Sequence, residues 1–389
     1  MTADGLAAHW VLVPVAQRRD GSWLDDTLAA RNAEAGLSAR APEAGRFPRQ
    51  RVELFRTTSA EALIESTFRR RGWSDGLPIV APTLGRVAAL VHAGGRRPSE
   101  QVGVLAPLGG VATVELVAAN AVMAGCGPEQ FPYVLAAVEA VCDPAFNLAG
   151  VQTTDENVTP LLVISAPAAR RETAELNSGF GVLGPGWRGN ATIGRALRLV
   201  LHNLGGGWPG ALSLAGAGQP GRYTLCVAED DEHCPWEPLR VAFGAAPGQA
   251  VLVATRAESA VNVTGGLDEV VSVMASAASA FTAVHGGSAA LLLAPHTAAE
   301  LAAQGLSRRD VAALLAERAV IARKTWRRFW VSRQVRPGPP PGDVVVLADP
   351  DRLLIVVAGG TMPIAQHVWF PGWGFPPAHV GRTVALAAH

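Results

Sequence analysis

From residue 245 onward, short apolar runs alternate with stretches of helical spacing. Strands are expected at 250–255, 289–294, 344–347 and 353–358, and helices at 267–281 and 308–324. Apolar strands set between helices imply sheets buried on both faces, mainly parallel or mixed and flanked by helices, which is the α/β class. The proline-rich stretch 337–341 reads as a loop inside this unit, because the strand after it is needed to complete the sheet.

A chain of 389 residues is long enough for two such α/β domains, each with a substantial core. Residues 1–58, rich in Arg, Ala, Glu and Gly with one apolar stretch at 10–15, read as an N-terminal extension. It is suited to contacts between subunits, and hence to a homo-oligomer. Residues 59–243 form a motif-rich α/β domain and 244–389 a C-terminal α/β domain. Helices are expected at 60–71 and 84–92, and a strand at 161–165.

The 33 basic residues equal the 33 acidic ones, so no overall field favours nucleic acid or an anionic membrane. Small molecules are the expected ligands. The longest apolar runs fall far short of a membrane span and the N-terminus lacks a secretory leader, so a cytoplasmic protein is expected. The cysteines, at 126, 142, 226 and 234, form no close-spaced pair of the kind that binds zinc or runs dithiol chemistry.

Cys126 stands in the glycine turn Met123-Ala-Gly-Cys126-Gly-Pro128-Glu129, between a helical stretch at 114–123 and a second one that starts near Pro128. A thiol close to a helix start feels the positive end of the dipole, which stabilises a thiolate. On that reading Cys126 has a depressed pKa, and Cys142, towards the end of the same helix, a raised one. The competing reading is a small apolar residue buried in a tight corner.

A second constellation runs from Gly184 to Asn203. Its glycine-rich turn carries Arg188 and Asn190 and leads to Thr192, a plausible N-cap, ahead of a helix with Ile193, Leu197, Val200 and Leu204 as its buried stripe. Arg195 and Arg198 follow early in that helix. Arg188, Asn190 and Arg195, with free backbone N–H groups, make an anion site for a carboxylate or phosphate. Structural ion pairs within a glycine loop are the alternative.

The third segment, from Tyr223 to Pro238, ends a strand in Glu229-Asp-Asp-Glu232-His233-Cys234. Glu229 and Glu232 read as proton-transfer or capping groups, with no metal expected, because neighbouring side chains of an extended segment point to opposite faces. A divalent metal at Glu229, Glu232 and His233 is the alternative. His285 and His367, beside glycine pairs in the last zone, are either substrate-binding groups able to titrate near neutrality or hydrogen-bonded structural histidines. Trp369, Phe370, Trp373 and Phe375 read as a pocket wall or an interface.

Four blocks occur in order: Gly72-Trp-Ser-Asp75-Gly-Leu-Pro-Ile-Val, Asn120-Ala-Val-Met-Ala-Gly-Cys126, Gly184-Pro-Gly-Trp-Arg-Gly-Asn-Ala-Thr-Ile-Gly-Arg195 and Pro235-Trp-Glu-Pro238. Together they resemble a group of bacterial proteins found alongside, or fused to, proteins bearing a selenocysteine-Gly-Ser-Cys (UGSC-type) motif. The resemblance spans roughly residues 60 to 240 and implies thiol or selenol redox work on a small molecule. This chain has no Cys-Gly-Ser-Cys or other close cysteine pair, which favours non-redox chemistry or a separate redox partner protein.

Two functions are therefore expected. The first is a cofactor-independent lyase, hydrolase or transferase acting on a small anionic metabolite. In it Cys126 is the nucleophile or acid, Glu229 and Glu232 move protons, and Asp75, Arg188, Asn190, Arg195, His285 and His367 bind substrate. The second is a non-catalytic accessory subunit of a thiol or selenol redox system, docking through the aromatic C-terminal segment and the N-terminal arm.

Overall fold

Strand Thr159–Ser165 carries Leu161, Leu162, Val163 and Ile164 in a row, all buried. Successive side chains of a strand point to opposite faces, so such a run needs an apolar partner on each side. Leu162 and Ile164 belong to a core shared with helices, whereas Leu161 and Val163 belong to a core shared with a second sheet. Strands Ala289–Leu293 and Leu353–Val357 do the same: Ala290, Leu292, Leu354 and Val356 face the first sheet, while Leu291, Leu293, Ile355 and Val357 face helices. Stacked sheets with helices outside each give four layers, α/β/β/α. The computed structural model describes residues 7–24, 45–47, 50–57, 60–335, 340–362 and 364–385; the expected loop at 337–341 lies largely outside them.

The first sheet has the order Val380–Val384, Ala250–Ala257, Thr159–Ser165, Cys226–Ala228, and the second the order Leu353–Val357, Ala289–Leu293, Gln366–Phe370, Val261–Thr264. Each has one parallel pair and is otherwise antiparallel. The α/β class holds, in its mixed form. The mainly parallel pattern does not, because continuous apolar runs report burial on both faces, and here one covering layer is a sheet. Strands 250–257 and 380–384 pair in the same sheet as 159–165, so hydrogen bonding runs across the boundary expected at residue 244.

Helices Leu84–Gly94, Val114–Ala124, Phe131–Val141 and Arg188–Asn203 build the core on the outer face of the first sheet. Parts of the expected extension belong to this core: Val11, Leu12, Val13, Val15 and Ala16 are buried, and the Asn120 amide donates to the Pro14 carbonyl at 3.1 Å. Helices Leu267–Met274, Pro295–Ala303 and Arg308–Arg318 cover the second sheet. The helix expected at 267–281 breaks after Met274, where the Ser276 hydroxyl accepts from the Ala278 amide and gives the backbone an alternative to the helix. The one expected at 308–324 stops at Arg318, because Val320–Ile321 pairs with Val344–Val345. Among the described residues no single helix is long and apolar enough to cross a membrane.

Candidate anion-binding site

Helix Arg188–Asn203 has two faces, written in its spacing. Ile193, Leu197, Val200 and, just past its end, Leu204 recur every three to four residues and are buried in the first core. Arg195, Arg198 and His202 recur at the same spacing on a polar face. That face holds down loop 72–78. Arg195 makes a two-pronged pair with Asp75 (2.8 and 2.9 Å) and donates to the Pro78 carbonyl at 2.8 Å. His202 Nε2 lies 2.6 Å from the Gly72 carbonyl, and the Asn203 amide donates to the Trp73 carbonyl at 2.9 Å.

After the helix the chain turns through Gly205, Gly206 and Gly207. Gly206 has a φ of +79°, and a Cβ at Gly205 would lie 2.8 Å from the backbone carbonyl oxygens of Ala106 and Leu201, so this return favours glycine. The following loop rises opposite loop 72–78, and between them lies a cavity of about 740 Å³. Arg198, His202, Ser74, Asp75, Ser213, Arg222 and Tyr223 are among the groups that line it.

Its electrostatics are unbalanced. Arg198 donates to the Gly207 carbonyl at 2.6 Å and Arg222 to the Ser213 hydroxyl, yet neither has a carboxylate within ion-pair distance among the described residues. Asp75, the acid nearest to hand, is held by Arg195. Burial, and then the neighbouring Arg222, pull the Arg198 pKa down to about 10, against the opposing field of Asp75. Burial lowers that of Arg222 as well. His202 falls to about 4, through burial first and Arg198 second, opposed by the Gly72 carbonyl and Asp75. A half-buried guanidinium with unmatched charge and spare donors is the kind of group that an anion would stabilise.

Most of the residues expected to form the site lie elsewhere and have other partners. Cys126 follows the carboxyl end of helix Val114–Ala124, its amide bonded to the Ala121 carbonyl, and it is buried in the first core. Its expected depressed pKa is overturned: burial pushes the thiol up to about 12, outweighing a Thr192 hydrogen bond and the fields of Arg188 and Arg195. Cys142 is raised to about 11, also chiefly by burial.

Helix Arg188–Asn203 starts four residues before the expected cap. Trp187 is the N-cap and the Thr192 hydroxyl bonds back to the Arg188 carbonyl. Arg188 donates to the Gly125 carbonyl, satisfying the end of the preceding helix, and lies 3.4 Å from Glu175. Asn190 is buried: its oxygen accepts from the Asn177 amide at 2.7 Å, and its amide donates to the carbonyls of Asn177, Val182 and Cys226. With both ends committed, it is a staple between loop, helix and sheet. Of the expected substrate-binding residues, Asp75 alone lines the cavity, with Arg195 as its clamp.

Glu229 is fully buried and its carboxylate is saturated by Ser165 Oγ (2.5 Å), the Leu239 amide (2.8 Å) and Arg308 (2.7 Å). That arrangement ties strand ends of the first sheet to helix Arg308–Arg318 and commits the carboxylate to bonds of the fold. Glu232 is exposed, 3.9 Å from Arg171. The acid loop does gather three ligand-type groups within 4.8 Å of one another, but they are Asp230, Glu232 and His233, with Asp230 replacing Glu229 in the expected set.

The two histidines lie outside this cavity and are engaged by backbone groups. His367 accepts from the Ala294 amide at 3.1 Å through Nδ1 and meets the Gly265 carbonyl at 3.1 Å through Nε2. His285 accepts from the Gly374 amide and stacks on Phe281. Burial lowers both pKa values. Trp369 and Phe370 lie in the cores, Trp369 donating to the Ser279 hydroxyl at 3.0 Å, whereas Trp373 and Phe375 pack around His285 and Phe375 is exposed.

Arg198 was legible as a neighbour of Arg195, and its recurrence with His202 on one helix face is the signal that marks the site. Arg222, Ser213 and Tyr223 carry no such signal, because an irregular glycine loop brings them there. No known family model matches the chain, and no protein of curated function shows significant similarity to it.

Proposed function

We propose that this protein is an enzyme that acts on a small anionic metabolite, a carboxylate or phosphate ester held between Arg198 and Arg222. One observation carries the reading: two arginines with no carboxylate partner among the described residues line one cavity large enough for a metabolite. Pro209, Ala215, Ala217 and Pro220 supply an apolar wall for the body of the ligand, and the hydroxyls of Ser74, Ser213 and Tyr223 supply donors and acceptors for its polar groups. His202 is the group placed to exchange a proton, which suits lyase, hydrolase or group-transfer chemistry.

Three of the blocks that resemble the UGSC-associated proteins converge on this place. Loop 72–80 forms its rim, Arg195 clamps that rim, and Asn120 accepts from Asn203 at 2.8 Å beneath it. The test is thermal denaturation with a panel of phosphate monoesters and dicarboxylates on the wild-type protein, Arg198→Ala and Arg222→Ala. A ligand at about 100 times its Kd stabilises by about 2.7 kcal/mol. That gain should appear in the wild type and shrink in both variants; an equal gain in all three contradicts the reading.

A further inference from the structure

His202 sits one helical turn beyond Arg198, and both side chains line the same cavity. Its Nε2 faces the Gly72 carbonyl at 2.6 Å, and a carbonyl accepts only, so Nε2 carries the hydrogen and Nδ1 keeps the lone pair. Protonation at Nδ1 therefore leaves the Gly72 bond intact and needs no rearrangement of loop 72–78.

The charges around the ring are unfavourable to an imidazolium while the cavity holds no anion. Arg198 lines the cavity from the same helix, and Arg222 and Tyr223 line it from another part of the chain. Asp75, from the loop above, is shared with Arg195. Helix Val114–Ala124, packed beneath, carries one charge, Glu115, and that residue lines a different cavity. An anion between the two arginines would offset the repulsion from Arg198, which adds to burial in keeping the ring neutral.

We infer that binding of an anion between Arg198 and Arg222 draws a proton from solvent onto Nδ1 of His202, which makes the imidazolium the acid presented to the bound ligand. The inference rests on the anion-binding reading of the cavity and adds a proton to it. The low affinity of the unliganded ring for protons, which burial and Arg198 impose, sets its direction: uptake grows as pH falls from neutrality.

Inorganic sulfate is the probe, since it does not itself titrate in the range used. Calorimetric titration from about pH 8 to about pH 5, in two buffers of different ionisation enthalpy, gives affinity and protons taken up together. Sulfate should bind more tightly as pH falls, by up to about tenfold per unit where uptake approaches one proton. His202→Gln, which keeps a donor for the Gly72 carbonyl and cannot titrate, should bind with an affinity nearly independent of pH. Wild-type binding without proton uptake, or an unchanged pH slope in His202→Gln, overturns the inference and leaves the anion site standing. Absence of sulfate binding to the wild type at every pH overturns both.

Discussion

Two regions of this protein collect arginines, and they differ in whether the charges are answered. At the junction of the helical layers, Arg308 meets Glu229, while Arg171 and Arg240 share Asp231, all at hydrogen-bond range. At the cavity, Asp75 is held by Arg195, whereas among the described residues Arg198 and Arg222 meet only a carbonyl and a hydroxyl. Desolvating a charge costs free energy in both places. Where a carboxylate offsets that cost the cluster is part of the fold; where none does, the compensating charge is expected from a ligand.

The largest effect should come from breaking the answered region. Glu229→Ala leaves Arg308 half-buried without its carboxylate and strands Ser165 and the Leu239 amide, so chemical denaturation should show a loss of about 3–5 kcal/mol. A change under about 1 kcal/mol would remove the structural assignment of Glu229.

Acid sharpens the contrast further. His202 and His379 both have folded pKa values near 4, below the usual 6.5, with burial the main cause of each. The unfolded chain then binds more protons between those limits. Stability is fully present above about pH 6.5 and is lost as pH falls towards 4, by up to about 3 kcal/mol for each ring. His379 bonds Thr255 and the Arg352 carbonyl, far from the cavity. His379→Gln should flatten the acid limb of a stability profile whether or not an anion is present, whereas anion should flatten the His202 contribution alone.

Arg198→Ala should cost affinity rather than stability. A charge-assisted contact is worth about 1.5–3 kcal/mol, so anion affinity should fall by about 10- to 100-fold while the unfolding free energy stays level or rises, an unmatched charge having been removed. A large loss of stability with unchanged affinity would move Arg198 into the structural class.

The smallest effect concerns reactivity. Cys126 is buried with its thiol at about 12, while Cys142 and Cys234 are partly open, so native alkylation mapped by mass spectrometry should label Cys126 after both. Faster labelling of Cys126 would restore it as a nucleophile.

Much of the fold was legible in hydrophobic spacing. The stripe Ile193, Leu197, Val200 placed the central helix, and the apolar runs at 161–165, 250–255, 289–294 and 353–358 placed the inner strands. Their pairing was not legible, because an apolar run reports burial on both faces without saying whether a helix or a sheet supplies the cover. The site was legible in part. Asp75 lines the cavity, but Arg188, Asn190 and Glu229 are residue types that bind ligands and backbone equally well, and only tertiary contacts show which they do here. Local sequence marks the Cys126 turn but not the apolar packing around it, and that burial raises the thiol pKa.

The central claim is that the unanswered arginines of the cavity hold an anion, and the most direct measurement is a crystal structure of the protein with selenate, whose anomalous scattering locates the ion without assumption. The account predicts a selenium peak within hydrogen-bond reach of both Arg198 and Arg222, beside His202. A peak at the Arg188–Asn190 turn, or none in the cavity at saturating selenate, would contradict it.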